Sequence, residues 1–357
     1  MKKTALISLF LVLLLVFTAC AKAPDTNQTE TTAETTAETT AETTVETTAE
    51  TTEPKAKIDM NIAALAGPTG MGMVGLMDSG SKGETANHYN FEITGSPDAL
   101  IGKIINGELD IAAVPTNLAM VLYNKTEGNV QLAAVNTLGV LYVLENGETV
   151  KSIADLKDQT IHVSGKGSVP DYVMQFMLED AALVPEEDVI VDYALEHADL
   201  AAAMVAGDVK IGLLPQPHVT TAMMRNPDLR IALDITEEWG RVTEGGADLV
   251  MGAIIVQKAF AQEHPEALNA FLDEYQASVD FVNSNIQEAS VLIEQYGILP
   301  NAAIAEKSIP KSNIVFIDAM TAKASLEAFY KVLFEIEPKS IGGKLADEGF
   351  YYNRENQ

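Results

Sequence analysis

Short apolar runs alternate with longer amphipathic segments along most of the chain. Runs of strand length at residues 58–65, 160–163 and 211–214 predict buried strands, and each leads into a turn rich in Gly, Ser, Thr or Pro. Helical periodicity is strong at residues 98–105 and 170–178. This alternation is typical of doubly wound α/β domains, in which helices cover both faces of a mostly parallel sheet.

The extent of the apolar pattern bears on the number of domains. Hydrophobic residues make up 47% of the chain, and the patterned part, residues 57–357, is longer than one hydrophobic core usually supports. We therefore expect two α/β domains. The last part of the chain is mainly helical in pattern, at residues 265–284, 286–296 and 317–334.

The first residues of the chain predict export. Lys2 and Lys3 precede an apolar run at residues 6–17 that is too short to span a membrane. Small residues then lead to Cys20, and a basic, apolar, small-residue order is typical of a secretion signal, here residues 1–19. Residues 17–20, Phe-Thr-Ala-Cys, resemble the lipobox of bacterial lipoproteins, which implies cleavage before Cys20 and diacylation of that cysteine, with palmitate as one of the acyl chains. The alternative is ordinary secretion, in which Cys20 has no special role.

Cys20 is the single cysteine of the chain. Once it is acylated no thiol remains, so disulfides, zinc–thiolate sites and a cysteine nucleophile are excluded. Residues 20–56 follow as a linker, in which Glu-Thr-Thr-Ala repeats from residue 30 to residue 53. With almost nothing apolar to bury, this linker is expected to be a disordered tether.

The charge of the chain narrows the choice of partners. The formal net charge is -28, whereas nucleic-acid binding requires a basic face, so we expect no nucleic-acid partner. The five histidines show no spacing typical of metal ligands, and neither a nucleophile elbow nor a phosphate-binding loop is present. We therefore predict no metal, no cofactor and no catalytic residue.

Three motifs carry a resemblance to a known superfamily. They are Asn-Gly-Glu-Leu-Asp-Ile-Ala at residues 106–112, Ser-Ile-Ala-Asp-Leu-Lys-Asp-Gln at residues 152–159, and the segment 260–266 with Phe260 and Pro265. In this order the motifs resemble the periplasmic binding protein type II superfamily. The branch that binds nitrate, taurine, alkanesulfonates and thiamine-type pyrimidines is the most similar one.

The resemblance implies two doubly wound lobes joined by two crossover strands. Lobe one would comprise residues 57–140 and 250–357, and lobe two residues 141–249, with crossings near 138–144 and 248–256. A small solute would bind in the cleft between the lobes, because ligands of open α/β sheets lie beyond the carboxyl ends of the strands. Helix starts at that edge offer free N–H groups and a positive dipole end.

Turns that follow predicted strands supply the candidate ligand-binding residues. Gly, Ser, Thr and Asn also form ordinary helix caps and tight connections, so each turn has a structural alternative. The candidates are Thr69, Gly70 and Met71; Thr116 and Asn117; Ser164, Gly165, Lys166, Gly167 and Ser168; and Gln216 and His218.

Trp239 is the single tryptophan and lies near the second proposed crossing. It could stack on a flat ligand or serve as core packing. For Tyr172 the two alternatives are a role in the cleft and a place on the surface, and for Met71 and its neighbouring methionines core filling is the default.

The predicted function is that of a monomeric, lipid-anchored solute-binding protein on the extracytoplasmic face of the cell membrane. Its partners would be a small-molecule solute, an ABC permease and the ATPase that drives it. Three alternatives stay open at this stage: a receptor for a TRAP-type importer, a same-fold enzyme acting on a pyrimidine or chorismate-like substrate, and an adhesion module without a small-molecule cleft.

Overall fold

A computed structural model describes residues 56–356 of the chain. The predictions for the signal peptide (1–19), for Cys20 and for the linker up to residue 55 lie outside the described residues. No helix in the described part is long and apolar enough to cross a membrane.

Strands in the described range form one six-stranded and one five-stranded sheet. In chain order they are β1 (Asp59–Leu65), β2 (His88–Thr94), β3 (Ile111–Pro115), β4 (Val130–Thr137), β5 (Leu141–Glu145), β6 (Thr160–Val163), β7 (Ile190–Asp192), β8 (Ile211–Pro215), β9 (Arg230–Asp234), β10 (Gly252–Gln257) and β11 (Ile314–Asp318).

Helices connect most of these strands. In chain order they are α1 (Pro68–Met71), α2 (Val74–Ser81), α3 (Asp98–Ile105), α4 (Thr116–Lys125), α5 (Val169–Asp180), α6 (His197–Ala206), α7 (His218–Arg225), α8 (Ile235–Val242), α9 (Lys258–Glu263), α10 (Pro265–Ser284), α11 (Ile286–Gln295), α12 (Ala302–Ser308) and α13 (Ala319–Ile336). Short 3₁₀ turns add Ile153–Leu156, Ile309–Lys311, Pro338–Ile341, Glu348–Phe350 and Arg354–Asn356.

The first sheet has the strand order β11-β4-β10-β3-β1-β2, and the second has the order β7-β6-β8-β5-β9. Strands β1, β2 and β3 are mutually parallel, and so are β6, β7 and β8. The remaining pairs are antiparallel. We call the edge at which the parallel strands of a sheet end its carboxyl edge. The predicted α/β fold class with two sheets is confirmed.

The alternation of side chains along β1 explains why helices cover both faces of the first sheet. Met60, Ile62 and Ala64 are buried in the core cluster that includes Phe271 of α10, whereas Ala63 belongs to the cluster that includes residues of α4 and α13. A strand buried on both faces has an almost continuous apolar sequence, as β1 has.

The connection between β4 and β5 determines how the two sheets face each other. Thr137, the last residue of β4, lies opposite Gly252, which in turn pairs with Pro115 at the end of β3. Leu141, the first residue of β5, pairs with Pro215 at the end of β8. Residues 138–140 therefore run from one carboxyl edge to the other and can span at most about 14 Å. The two carboxyl edges face each other.

Two sequence-based boundaries differ from the structure. Asp98 is a residue type favoured at the N-cap, but helix α3 already begins at Asp98. Its cap residue is Pro97, which has helical dihedral angles, and Asp98 makes no capping hydrogen bond. The pattern at residues 317–334 predicted one helix, whereas β11 ends at Asp318. The carboxylate of Asp318 accepts from the Met320 N–H and starts α13 there.

Aromatic side chains also join the helices of the two sheets. Trp239 of α8 is 1% exposed, and its ring centroid lies 5.2 Å from that of Phe176 on α5 and 5.6 Å from that of Phe329 on α13. Its indole N–H donates to the Ala247 carbonyl at 3.0 Å. Trp239 therefore holds α13, which follows the first sheet, against helices of the second sheet.

We expect Trp239→Ala to lower the free energy of unfolding by about 3–5 kcal/mol, because it removes a buried indole and leaves a cavity between three helices. Urea denaturation followed by circular dichroism measures the change. Met224→Ala, which shortens a side chain 42% exposed on α7, is the control and should cost no more than about 0.5 kcal/mol. Equal stability of the two variants would contradict the packing role.

Candidate functional site

At the carboxyl edge of the second sheet, a serine and two histidines lie together. Ser164, directly after β6, is fully buried, and its Oγ shares a hydrogen bond of 2.5 Å with Nδ1 of His197. The His197 ring centroid lies 5.5 Å from that of His218. His197 is the first residue of α6 and His218 the first of α7, so both rings stand at helix N-termini.

The two imidazoles are neutral at pH 7. Burial lowers the pKa of His197, and burial together with the neighbouring His197 lowers the pKa of His218 to about 4. A positive charge at a helix N-terminus is also opposed by the helix dipole. Each ring therefore presents one N–H donor and one lone pair.

A buried carboxylate fixes the loop after β6. Asp171 is 4% exposed and accepts hydrogen bonds from the Gly167 N–H at 2.8 Å, the Gln175 amide at 2.6 Å and the Tyr193 hydroxyl at 2.6 Å. Burial and the bond to Asp171 raise the pKa of Tyr193. The ammonium of Lys166 lies 5.0 Å from the Tyr193 ring centroid. The hydrogen bonds of Asp171 therefore fix the conformation of the turn between Ser164 and α5.

The turn before α7 contributes a side-chain amide. Gln216 is 2% exposed, its backbone N–H donates to the Val140 carbonyl at 2.9 Å, and its Oε1 accepts from the Thr220 hydroxyl at 2.8 Å. The Nε2 group is buried and has no hydrogen-bond partner. Unpaired buried donors are costly, so Gln216 Nε2 marks a place where a ligand acceptor would be stabilised.

The carboxyl edge of the first sheet shows the same feature at Thr116. Thr116, the first residue of α4, is fully buried, and its N–H donates to the Met251 carbonyl at 3.2 Å, but its Oγ1 has no partner. Asn136 is fully buried as well, and its side-chain amide lies beside the hydroxyl of the core residue Tyr275. A Cβ atom added to Gly252 would lie 2.4 Å from Asn136 Oδ1 and 2.9 Å from Thr69 Cγ2, so these side chains surround Gly252.

The two edges come into contact at one point. A Cβ atom added to Gly67, in the turn after β1, would lie 4.0 Å from Cδ of Pro217, in the turn before α7. In the first of these turns Gly70 allows a close approach, because an added Cβ would lie 2.5 Å from the Leu65 carbonyl oxygen. The turns after β1 and β8 thus meet across the gap between the sheets.

Seven of the candidate residues predicted from the sequence lie at the facing carboxyl edges. Thr69, Gly70 and Thr116 are at the first edge, and Ser164, Gly165, Gln216 and His218 are at the second.

The other candidates are engaged elsewhere or lie at the rim. Met71 is fully buried in the core, Asn117 donates to the Ser340 carbonyl at 3.4 Å, and Ser168 donates to the Gly165 carbonyl. Lys166 and Gly167 are exposed at the outer side of the loop. Trp239 packs between Phe176 and Phe329, and its indole N–H donates to the Ala247 carbonyl.

His197 and Asn136 were not among the sequence candidates. His197 is separated from Ser164 by more than thirty residues, and no local motif joins them. For Asn136 the signal was present: Asn136 and Thr137 are polar residues at the end of an otherwise apolar strand, β4. A polar pair in a buried strand requires partners, which local spacing does not reveal.

The described residues contain no group of three or more His, Cys, Asp or Glu side chains that could hold a metal ion. The polar groups at the facing edges are hydroxyls, a side-chain amide and two imidazoles, and the two imidazoles stand at helix starts.

Comparison with solved structures places the fold. A crystal structure of an ABC transporter protein from Parabacteroides distasonis has a TM-score of 0.70 at 24% identity, covering 84% of this chain and 99% of that one. The periplasmic aliphatic sulphonate-binding protein SsuA from Escherichia coli has a TM-score of 0.64 at 15% identity, covering 84% and 93%. These identities show a shared fold.

A nitrate-binding relative and a family model extend the comparison. The periplasmic nitrate-binding protein NrtA from Synechocystis PCC 6803 has a TM-score of 0.58 at 10% identity, covering 80% of this chain and 84% of that one. No curated protein matches the chain. The model of the ABC transporter, phosphonate, periplasmic substrate-binding protein family matches residues 82–299, more than half of the chain. The chain therefore belongs to this family of ABC transporter substrate-binding proteins.

Proposed function

We propose that the chain captures a small oxoanion between its two carboxyl edges and delivers it to an ABC permease. The observation that carries this proposal is a buried, unpaired donor at each of the facing edges: Thr116 Oγ1 on one side and Gln216 Nε2 on the other. Leaving such groups unpaired is unfavourable, so a solute that supplies acceptors to both sides is stabilised by all of them.

The chemistry of these groups favours an oxoanion. Helices α4, α5 and α7 begin at the two edges, and free N–H groups at helix N-termini bind anions without an arginine. Arg230 and Arg241 are already in ion pairs with Glu145 and Asp180. The relatives are named for phosphonate, sulphonate and nitrate, and all three are oxoanions.

The proposed mechanism is capture by closure. We assign residues 57–140 and 250–357 to lobe one and residues 141–249 to lobe two. A solute that contacts both lobes favours the closed arrangement over the open one by the difference in its affinity for the two. The candidate contacts are Thr69, Thr116 and Asn136 from lobe one, with Ser164, Gln216 and the two histidines from lobe two.

We further propose that the protein acts without turnover and as a monomer. Family membership supports an ABC permease over a TRAP-type importer, and it supports a binding protein over a same-fold enzyme. Recovery of a bound oxoanion unchanged after long incubation distinguishes binding from catalysis.

Methylphosphonate, methanesulfonate and nitrate are the first probes to test. We expect at least one of them to raise the midpoint of thermal unfolding, because binding to the folded state alone stabilises it; a hundredfold excess over Kd contributes about 2.7 kcal/mol. Differential scanning fluorimetry with and without each anion measures the shift, and chloride at equal ionic strength is the control. No shift with any oxoanion would refute the proposed ligand class.

Thr116→Val separates a ligand contact from a structural hydrogen bond. Its Oγ1 has no partner, so valine should leave stability unchanged within about 0.5 kcal/mol while reducing affinity for the oxoanion about tenfold. Urea denaturation and isothermal titration calorimetry measure the two effects.

The matched control is Thr85→Val. Thr85 is also buried, but its hydroxyl donates to the Asn87 carbonyl at 2.8 Å, away from both carboxyl edges. This variant should lose about 1–2 kcal/mol of stability and keep wild-type affinity. Wild-type affinity in Thr116→Val would remove Thr116 from the site.

We also propose that the protein is anchored on the extracytoplasmic face through acylated Cys20. In cells labelled with radioactive palmitate, the wild-type protein should carry label and sediment with membranes, whereas Cys20→Ser should carry none. Phe17→Leu, which makes the segment more similar to the common lipobox, is the control and should remain labelled. An unlabelled wild-type protein would refute the anchor.

A further inference from the structure

The His197–His218 pair introduces chemistry that neutral donors alone do not supply. Ser164 Oγ lies 3.4 Å from the Leu213 carbonyl, to which it donates, and 2.5 Å from His197 Nδ1. When Nδ1 is the donor in the second bond, Nε2 of the neutral ring carries a lone pair. A lone pair repels the oxygen of an anion, whereas an N–H at the same place would bind it.

No carboxylate stabilises a positive charge on either ring. The causes of the lowered pKa values are burial for His197, and burial together with His197 for His218. Most charged groups on the elements packed around the pair are exposed, and solvent screens them. The exception at the start of α5 is Asp171, a buried carboxylate that accepts hydrogen bonds from Gly167, Gln175 and Tyr193. The exposed groups are Lys166 on the loop after β6, Glu196 and Asp199 beside α6, Arg225 at the end of α7, and Glu306 and Lys307 on α12. After β7, Asp192 and Tyr193 are half-buried, and Asp192 faces His162.

We propose that capture of an oxoanion in the cleft is coupled to the uptake of one proton by the His197–His218 pair. The inference rests on the proposed function, since it concerns the same site. The proton comes from the solvent and converts one ring nitrogen from a lone pair into a donor facing the anion. No covalent bond between the protein and the solute forms or breaks.

Electrostatics gives the direction of the effect. An anion within about 4 Å of an imidazole favours its charged form and raises its pKa, and it also offsets the unfavourable helix dipole at the start of α6 or α7. Only one ring should take up a proton, because a second charge on a ring 5.5 Å away opposes the first.

The sign of the pH dependence follows from linkage. The free pair has a lowered pKa and the occupied pair a raised one, so between the two values the complex holds more protons than the free protein. Affinity should therefore increase as the pH falls through this range, by up to about tenfold per pH unit. Above the pKa of the occupied pair, affinity should become independent of pH.

Calorimetry at pH 6 in buffers of different ionisation enthalpy counts the protons directly. Methanesulfonate and nitrate do not titrate near this pH, so any uptake belongs to the protein. We expect about 0.5–1 proton per bound anion for the wild-type protein. Methylphosphonate takes part in proton exchange itself, and for this probe the count is the difference between the wild-type protein and His218→Gln.

Three variants assign the uptake to the pair. His197→Gln and His218→Gln should each lower the proton count and flatten the dependence of affinity on pH. His88→Gln, in which an exposed histidine of β2 is replaced, should behave as the wild type does. If a variant no longer binds, NMR titration of the His218 ring in the wild-type protein, with and without the anion, decides the question by the presence or absence of a raised pKa.

The outcomes distinguish this inference from the proposed function. Binding without proton uptake, with an affinity that changes by less than about twofold from pH 5 to pH 8, would overturn the inference and leave the oxoanion site intact. Absence of binding by all three anions would overturn both. Uptake that persists in the variant lacking both histidines would place the titrating group elsewhere and refute the role of the pair.

Discussion

The three-residue connection between β4 and β5 is the constraint on which the site depends. Residues 138–140 join the carboxyl edge of one sheet directly to that of the other, and they are bound on both sides. The Leu138 N–H donates to the Asn313 carbonyl at 3.0 Å, and the Val140 carbonyl accepts from the Gln216 N–H at 2.9 Å. So short a segment cannot let the sheets turn their carboxyl edges apart, and the helix starts on both sides must therefore face one space.

Polar groups at these edges are kept in an unfavourable state by the rest of the fold. Thr116 and Gln216 hold unpaired donors in positions that are almost fully buried, and two neutral histidines stand at helix starts. Each unpaired donor costs about 1–3 kcal/mol in the absence of a solute. Packing elsewhere, including that of Trp239 between α5 and α13, offsets this cost and leaves the donors ready for a ligand.

Much of the fold could be predicted from the sequence, because the apolar runs at β1, β6 and β8 and the periodicity of α5 and α10 are local properties. The turns after β6 and β8 followed from the same pattern, which is why Ser164 and Gln216 were among the candidates. The partner of Ser164, His197, could not be found this way, because the contact is made by two elements that pair only in the folded sheet. Trp239 shows the opposite case: its sequence position suggested a ligand contact as readily as core packing, and only its neighbours Phe176 and Phe329 distinguish the two.

A crystal structure of the protein soaked with the tightest-binding oxoanion tests the central claim most directly. The account predicts density for the anion between the two sheets, within hydrogen-bond distance of Thr116 from one edge and of the Ser164–His197 pair or Gln216 from the other. Density bound to groups of one sheet alone, or bound away from both carboxyl edges, would contradict it.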